Sequence, residues 1–587
     1  MNRRERRAAG EPSRTTPDRP GGDTAAALHG AALGHVRAER YLDAQMCCQQ
    51  ALALDPDHAE SLHLMGLLSL HATQYDHAVE WISRAIAQDP RPEYLFSLGT
   101  ALRHLKRFDE ALKVFDKAVQ LKPDKAELWV GLGRALVDLD RGSEALLTFQ
   151  HALTLNPRNW DAAHESGTLL NRMGRRDEAL AHFKRCAELR PNNPADRATT
   201  FNNIGNVLQA LGRSEEALHW LDRALDERPD FVQAISNKAI VLGQLRRFDE
   251  ALAVYARVSA IDPDHAVSNW NAALLHMLLG DFEAGWAGRE ARWKIASLSA
   301  AYPKFTEPMW RGEENIQGKT ILIAADEGLG DAIQFARYVP TVAARGARVI
   351  LVVHDALHRL LSELPGVSQC IPKSVAARGV PPFDMHCPLG SLPLAFGTRL
   401  DSIPADIAYL LPPAAARVKA WQDRLGPHDR LRVGLVWSGN PEHKGDHHRS
   451  TSLAAYEAFL DLGASFVSLQ KDPRPDDKAT LARRADIVDL TEDLTDFAET
   501  AALIACLDLV ITVDTSVAHL AGALGCPTWI LLPHTPDFRW LLDRDDSPWY
   551  PTVRLFRQSA SLSYAEVIAR VRTELAAMVD RYEQTKT

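Results

Sequence analysis

Two patterns of apolar and polar positions divide this chain of 587 residues. In the first half, a small residue is followed twelve positions later by proline in seven successive units: Ala44/Pro56, Ala78/Pro90, Ala111/Pro123, Ala145/Pro157, Ala179/Pro191, Ala217/Pro229 and Ala251/Pro263. Successive alanines are 33 to 38 residues apart; five units carry a glycine twelve residues before the alanine, and four carry an aromatic residue four after it. This period predicts antiparallel helix pairs that stack into a solenoid.

An eighth, degenerate unit follows, "NWNAALLHMLLGDFEAGWAGREARW". Terminal repeats are atypical, so this unit is expected to cap the stack against the following domain. The concave face of such a solenoid is expected to bind a peptide or a partner protein, by analogy of fold. Several asparagines have side chains suited to peptide backbone, although exposed helix positions are the simpler interpretation: Asn202, Asn203, Asn206, Asn237 and Asn271.

The second half alternates short β-rich runs with helical stretches, a pattern that favours parallel sheets covered by helices. A first set of strands is predicted at 320–325, 348–353 and 384–389, with a helix near 332–345. A Pro-rich connector at 404–416 precedes a second set, predicted at 431–439, 465–471, 508–513 and 528–533. The pattern predicts two Rossmann-like domains in tandem.

These patterns give an α-solenoid followed by an α/β half. The predicted domains are a disordered tail, the repeat solenoid, a first Rossmann-like domain and a second, nucleotide-sugar-binding one, at 1–23, 24–298, 299–416 and 417–587.

Composition narrows the function. Apolar content of 46% with 24% charged residues is ordinary for a folded protein, and a formal net charge of −9 argues against a nucleic-acid partner. No window reaches the roughly 18 to 20 apolar residues of a membrane span, so no integral membrane association is expected. The seven cysteines have no paired spacing, and the first residues lack the apolar core of a secretory signal. The expected location is the cytoplasm.

The strongest chemical element is "DLVITVDTSVAHLAGALG", in which a strand runs into Asp514, Thr515 and Ser516 and then into a helix carrying His519. A helix N-terminus offers unpaired N–H groups and about half a positive charge, so a diphosphate fits there. In the alternative interpretation, Thr515 or Ser516 only caps the helix and His519 packs against the sheet.

The stretch "TILIAADEGLGDAIQFARYVP" has the same strand, turn and helix order in the other domain. Gly328 and Gly330 permit a tight turn and the close approach of another group to the backbone. Asp331 then opens the predicted helix, where a carboxylate also serves simply as a favourable partner of the helix dipole. Because this turn and the Asp514 turn lie at similar sheet edges in the two predicted domains, together they indicate a ligand site more strongly than a single helix start would.

A polar loop, "WSGNPEHKGDHHRS", follows the first strand of the second set. Its cations Lys444 and Arg449 are suited to neutralise charge on a leaving diphosphate. The alternative is a solvated loop. The histidines in this loop could bind a metal ion if two of them were spaced i,i+4 on one helix. Gly445 disfavours a continuous helix there, so no metal site is predicted.

Six motifs in order resemble bacterial glycosyltransferases with tetratricopeptide repeats: "GLGDAIQFARYVP", "FDMHCPLGSLPLAF", "LRVGLVWSGNP", "FVSLQK", "DTSVAHLAGALG" and "DSPWYP". The catalytic half is similar to lipopolysaccharide heptosyltransferases, and the overall plan resembles protein O-linked N-acetylglucosamine transferases. The resemblance implies a GT-B fold and an inverting, metal-independent enzyme without cofactor, which transfers sugar from a nucleoside diphosphate to a protein or glycan acceptor. The repeats would recruit the acceptor or a partner protein.

The resemblance also implies roles for individual residues. Asp331 matches the catalytic base, and Lys444 matches a lysine that contacts phosphate. The segment that holds the nucleotide sugar falls on Asp514, Thr515, Ser516 and His519. By looser similarity to the O-linked transferases, Gln470 and Lys471 line the donor site.

The chain departs from the family pattern at two places. Relatives tend to read "EQGLGD" where it has Asp326 and Glu327, and "NDRNRS" where it has "GDHHRS" with His447. A second hypothesis is therefore a non-catalytic scaffold whose GT-B module is silent. A third is a sugar-nucleotide epimerase on the same fold, which would turn over without an acceptor.

Overall fold

The computed structural model describes residues 22–189, 193–300, 302–405, 408–442 and 445–586. Most of the predicted tail, residues 1–21, lies outside the described residues, as does Lys444. The chain divides into two compact units, one ending at Asn237 and the other beginning at Lys238. This division does not coincide with the boundary predicted at residue 298, and the domain boundaries remain predictions.

The first unit is a solenoid of antiparallel helix pairs, which confirms the tetratricopeptide-repeat prediction. Its helices, with the helix in which the division falls, are α1 (Gly22–Arg37), α2 (Tyr41–Leu54), α3 (Ala59–His71), α4 (Tyr75–Gln88), α5 (Pro92–His104), α6 (Phe108–Leu121), α7 (Ala126–Asp138), α8 (Gly142–Leu155), α9 (Trp160–Arg172), α10 (Arg176–Leu189), α11 (Pro194–Ala210), α12 (Ser214–Glu227) and α13 (Val232–Gln244).

Steric packing explains the spacing of glycine and aromatic residues in the repeats. A Cβ added at Gly99, Gly133 or Gly167 would lie 2.3 to 2.8 Å from the ring of the aromatic residue sixteen positions later, on the second helix of the pair. Gly66 and Gly205 stand in the same relation to Ile82 and Leu221. The glycine therefore lets the two helices of a pair approach around one large side chain.

The second unit opens with the end of the repeats. The helices here are α14 (Phe248–Ile261), α15 (Ala266–Leu278), α16 (Phe282–Arg289) and α17 (Ala296–Ser299). Helices α15 and α16 pack as an antiparallel pair, so the degenerate eighth unit is a repeat. A short 3₁₀ turn, Glu290–Lys294, continues α16.

The first parallel sheet holds β1 (Thr320–Ala324), β2 (Arg348–Val353), β3 (Val367–Pro372) and β4 (Met385–Pro388), in the order β3-β2-β1-β4. Its helices are α18 (Leu329–Phe335), α19 (Val339–Ala344), α20 (His358–Leu361), α21 (Lys373–Ala376) and α22 (Leu392–Ala395). The single helix predicted over 332–345 is two helices, because Pro340 in the first turn of α19 has no N–H to continue α18.

The second parallel sheet holds β5 (Arg432–Val436), β6 (Ser465–Ser468), β7 (Ile487–Asp489), β8 (Leu509–Val513), β9 (Thr528–Leu532) and β10 (Val553–Arg557). Its order is β10-β9-β8-β5-β6-β7. The accompanying helices are α23 (Ala415–Leu425), α24 (Asp446–Arg449), α25 (Leu453–Tyr456), α26 (Pro475–Leu481), α27 (Phe497–Ile504), α28 (Ser516–Ala523) and α29 (Tyr564–Gln584).

Read in chain order, the second sheet has the arrangement 3-2-1-4-5-6 of a doubly wound dinucleotide-binding sheet, and the first sheet has its first four strands. The α/β half of the fold prediction is therefore confirmed. In such sheets, ligands bind beyond the carboxyl ends of the two strands where the order reverses. These are β1 and β4 in the first sheet and β5 and β8 in the second.

Candidate functional site

The predicted site turns follow the strands at which the order reverses. The turn with Gly328 and Asp331 follows β1, and Asp514 directly follows β8. The loop that ends at Arg449 follows β5, the neighbour of β8, and Arg449 Nη1 donates to the Asp514 carbonyl at 2.9 Å. The structure thus brings the β5 and β8 turns together at the position where open α/β sheets bind ligands.

Asp331 is the third residue of α18, which begins at Leu329 rather than at Asp331 as the sequence suggested. Its Oδ2 accepts the Gly328 N–H at 3.0 Å, so the carboxylate caps its own helix. About 24% of the Asp331 side chain remains exposed, which leaves part of the carboxylate accessible to an incoming molecule.

The two sheets meet where α18 packs against α28. A Cβ added at Gly330 would lie 2.7 Å from His519 Cδ2 and 3.3 Å from its Nε2, so this glycine lets the His519 ring lie against the helix. His519 is 5% exposed; its Nδ1 lies 2.9 Å from the Tyr550 hydroxyl, and its ring stacks on Trp540. Burial holds the pKa of His519 well below its ordinary value, so the ring is neutral. The Gly328 turn and the Asp514 turn therefore border one junction.

Arg539 is the cation at this junction, and the sequence analysis did not single it out. It lies in a 3₁₀ turn, Phe538–Trp540, after β9, and its guanidinium pairs with Asp331 across the two sheets. The same guanidinium donates to Asp537 Oδ1 at 2.7 Å and to the side-chain oxygen of Gln334. The local sequence carries one signal for this residue, a cation in the loop after the buried strand β9.

Two acids near Arg539, Asp331 and Asp514, have raised pKa values. Burial raises the pKa of Asp331 to about 6, against the opposing charge of Arg539. Burial and the neighbouring Asp537 also raise the pKa of Asp514 to about 6. Burial disfavours the charge of Arg539, but the surrounding carboxylates outweigh it and hold its pKa above the ordinary value. A carboxylate that titrates near neutrality has the proton affinity that a general base requires.

The predicted binding residues differ in what they contact. Ser516 opens α28, and Thr515 occupies the N-cap position with its Oγ1 3.2 Å from Thr512 Oγ1. Gln470 Oε1 accepts the Ser438 N–H at 3.0 Å and so holds the turn after β5. Lys471 Nζ donates to a main-chain carbonyl, that of Leu494. The structure therefore engages Gln470 and Lys471 with backbone, and their donor-binding roles stay predictions.

Two further observations concern ions and membranes. Among the described residues, no three or more His, Cys, Asp or Glu side chains are grouped as a metal site would require. No helix in that part of the chain is both long enough and apolar enough to cross a bilayer.

Comparison with known families finds matches in both halves of the chain. Tetratricopeptide-repeat models match residues 102–170, 161–227, 202–266 and 236–285. The model for anaphase-promoting complex, cyclosome, subunit 3 matches residues 37–118. The model for glycosyltransferase family 9 (heptosyltransferase) matches residues 477–557, which include the Asp514 turn and Arg539. The chain therefore has tetratricopeptide repeats in its N-terminal half and a region near its C-terminus that matches glycosyltransferase family 9. That region supports glycosyl transfer in general, and the repeats support protein interaction.

Individual relatives cover different parts of the chain. Protein FlbA of Caulobacter vibrioides is 27% identical over 583 residues, which cover 94% of this chain and 84% of that protein. Pseudomonas aeruginosa PilF has 21% identity and a TM-score of 0.32 and covers 36% of this chain and 96% of its own. A tetratricopeptide-repeat protein from Parabacteroides merdae has 14% identity and a TM-score of 0.36, covering 44% of this chain and 100% of its own.

The close approach at Gly330 gives a first prediction. Gly330→Ala is expected to destabilise the junction by about 1 to 3 kcal/mol, because the added methyl group overlaps His519 and pushes α18 from α28. Thermal unfolding should show a Tm lower by several degrees. Gly243→Ala is the matched control, because a Cβ there meets nothing within 4 Å among the described residues. An unchanged Tm for Gly330→Ala would contradict the packing of His519 on α18.

Proposed function

We propose that the chain is an inverting glycosyltransferase that moves a sugar from a nucleoside diphosphate to an acceptor hydroxyl, without a metal ion. The observation that carries this proposal is the pairing of Asp331, after β1, with Arg539, after β9, beside the Asp514 turn. A carboxylate from one sheet and a helix N-terminus from the other then border one reaction site.

The proposed step makes and breaks one bond at the anomeric carbon. The acceptor oxygen attacks that carbon while Asp331 takes the hydroxyl proton, and the bond from the carbon to the diphosphate oxygen breaks. The diphosphate leaves toward the N-terminus of α28, where Thr515 and Ser516 lie and where main-chain N–H groups stabilise negative charge. Attack opposite the leaving group inverts the anomeric centre.

Cations take the place that a metal has in other transferases. Arg449 is fixed against the Asp514 carbonyl at 2.9 Å and is close enough to the α28 N-terminus to meet the leaving phosphate. Arg539 balances the Asp331 carboxylate before the acceptor arrives. Lys444 is assigned to the same phosphate by the family resemblance alone, since it lies outside the described residues.

The repeats supply the acceptor in this proposal, which is a protein or a glycan held by the solenoid or by a protein partner. The proposed location is the cytoplasm, because free thiols persist in a reducing compartment. The seven cysteines all fall within described residues, and all are free.

Ser516→Trp is the test of the donor site. An indole side chain at the first residue of α28 would fill the space before the helix N-terminus, so titration calorimetry should show binding of a nucleotide sugar to the wild type and none to the variant. Ser561→Trp is the control, because Ser561 is exposed and lies in the segment before α29. The wild type is first screened across a panel of nucleoside diphosphate sugars for hydrolysis and binding.

The outcomes separate the proposal from its rivals. A wild type that binds no nucleotide sugar would leave a protein-interaction scaffold. Conversion of the donor to an epimer in the absence of any acceptor would favour an epimerase. Transfer that is retained in Ser516→Trp would place the donor elsewhere.

A further inference from the structure

The end of the repeat solenoid reaches the candidate site through one buried arginine. Arg289 is the last residue of α16 and is 2% exposed. Its Nη2 donates to both oxygens of Glu327, at 2.5 and 2.6 Å. Glu327 immediately precedes Gly328, whose N–H is bonded to the Asp331 carboxylate. Arg289 is therefore connected to Asp331, the proposed base, through an ion pair with Glu327 and the main chain of Gly328.

The same guanidinium also contacts aromatic rings on both sides of the junction. Its carbon lies 5.7 Å from the centre of the Phe335 ring, at the end of α18, and 5.6 Å from that of Phe538. Phe538 directly precedes Arg539, the partner of Asp331. One residue of the last repeat thus contacts α18, which carries Asp331, and Phe538, the neighbour of Arg539.

Trp286, one turn earlier on α16, reinforces both contacts. Its ring meets Phe335 and Phe538 edge-on, with centroids 6.0 Å away in each case, and its indole N–H donates to the Thr398 carbonyl at 3.0 Å. A planar guanidinium and an indole, fixed by aromatic rings on several sides, have little rotamer freedom. Helix α16 is therefore held rigidly against both sides of the junction.

A second arginine of the repeat end secures the β1 turn. Arg292 Nη2 pairs with Asp326 Oδ2 at 3.0 Å, and both side chains are about 3% exposed. The opposite carboxylate oxygen of Asp326 accepts the Gly390 N–H at 2.9 Å, in the turn after β4. Asp326 and Glu327, where this chain departs from the family pattern, are thus the carboxylates that the repeat arginines bind.

We propose that Arg289 is a positioning residue for glycosyl transfer, through which the last repeat fixes the Asp331–Arg539 pair. This inference rests on the proposed function. Arg289 acts indirectly on the pair. It acts on the Asp331 turn through Glu327 and on the Arg539 turn through Phe538.

Charge gives this role a signature that packing alone would not produce. The charged groups facing Asp331 are Arg539 and Asp537 from the loop after β9, Glu327 from its own turn and Arg289 from α16, while His519 on α28 is neutral. Arg289 lowers the pKa of Asp331 and Glu327 raises it. Removing the cation should raise this pKa, and removing the anion should lower it.

The experiment compares pH profiles of kcat/KM in the full chain. Arg289→Met should move the acid limb up by about one pH unit, Glu327→Gln should move it down, and the double variant should return it near the wild type. At alkaline pH, kcat of Arg289→Met should fall on the order of 10-fold through lost positioning, with donor affinity unchanged. Arg289→Lys keeps the positive charge but loses the bidentate guanidinium. Its acid limb should therefore stay at the wild-type pH while its kcat falls.

Hydrogen exchange supplies a readout that does not depend on turnover. Arg289→Met should speed exchange in both 326–331 and 537–541, whereas Arg213→Met, which breaks an exposed repeat ion pair at 2.7 Å, should change neither. If the acid limb of the pH profile, kcat and the hydrogen-exchange rates are all unchanged in Arg289→Met, the inference is overturned while the proposed function stands. A wild type that shows no transfer would overturn the proposed function. If hydrogen exchange in Arg289→Met were also unchanged, the positioning role of Arg289 would be overturned as well.

Discussion

Asp331→Asn is expected to lower kcat/KM for glycosyl transfer by about 10² to 10⁴-fold while the donor still binds. The amide keeps an oxygen that accepts the Gly328 N–H, so the cap of α18 remains, but it takes no proton from the acceptor. Steady-state transfer with the donor found by screening measures the loss, and calorimetry measures donor binding. The variant therefore separates the chemical role of the carboxylate from its structural one.

The pH dependence has a defined sign. A general base works only when deprotonated, and the pKa of Asp331 is about 6, so wild-type kcat/KM should fall tenfold per pH unit below about pH 6. The residual rate of Asp331→Asn should lack this limb. If the limb persisted, another group would be the base.

Asp496→Asn is the matched control. Asp496 caps α27 by accepting the Ala498 N–H at 2.9 Å, and it pairs with Arg359 at 2.9 Å, so it shares both structural roles of Asp331 without lying at the junction. This variant should lose some stability and retain transfer. Equal losses of transfer in the two variants would contradict a catalytic role for Asp331.

Arg539→Met is expected to lower the free energy of unfolding of the second unit by up to about 3 kcal/mol, because it leaves partly buried carboxylates without their cation. The affected acids are Asp331, Asp537 and Asp514. Transfer should be lost as well. Thermal unfolding should show the effect beside Arg359→Met, which breaks an ion pair that is half exposed and should cost under about 1 kcal/mol.

The direction in which pH changes the stability loss of Arg539→Met follows from the pKa of Asp331. Without Arg539, the folded-state pKa of Asp331 rises further above its unfolded value. A raised acid pKa contributes stability at low pH that is lost as pH rises through the folded value. The difference in Tm between wild type and variant should therefore be larger at pH 7 than at pH 5. Adding Asp331→Asn to the variant should recover part of the stability and none of the transfer.

Periodicity predicted the parts of the fold that depend on local patterns. The repeats were found because each pair of helices needs a small residue opposite a large one, as at Gly99 and Phe115. Strands β1, β2, β5, β8 and β9 were found because they are almost wholly buried and read as apolar runs. Strands β3 and β7 are partly exposed edge strands, and β10 carries an exposed arginine, so their patterns did not stand out.

The site was only half visible in the sequence. A buried strand followed by a tight turn and a helix is typical of ligand-binding turns in α/β sheets, so the Asp331 and Asp514 turns were predicted. The Arg539 contact joins residues 208 positions apart, and Arg289 reaches Glu327 from another domain type. No local pattern encodes such pairs, because they depend on how α16, α18 and the turn after β9 pack together.

The attachment of α16 also bears on how such proteins are assembled during evolution. A recombination joint at residue 299, where the sequence changes character, would separate Arg289 and Arg292 from Glu327 and Asp326 and would uncover the aromatic surface at Phe335 and Phe538. An α/β half inherited without Arg289 and Arg292 would leave the buried Asp326 and the partly exposed Glu327 without these cations. A transplantable form of the α/β half would therefore have to begin inside the repeats, so that Arg289 and Arg292 stay with their acids.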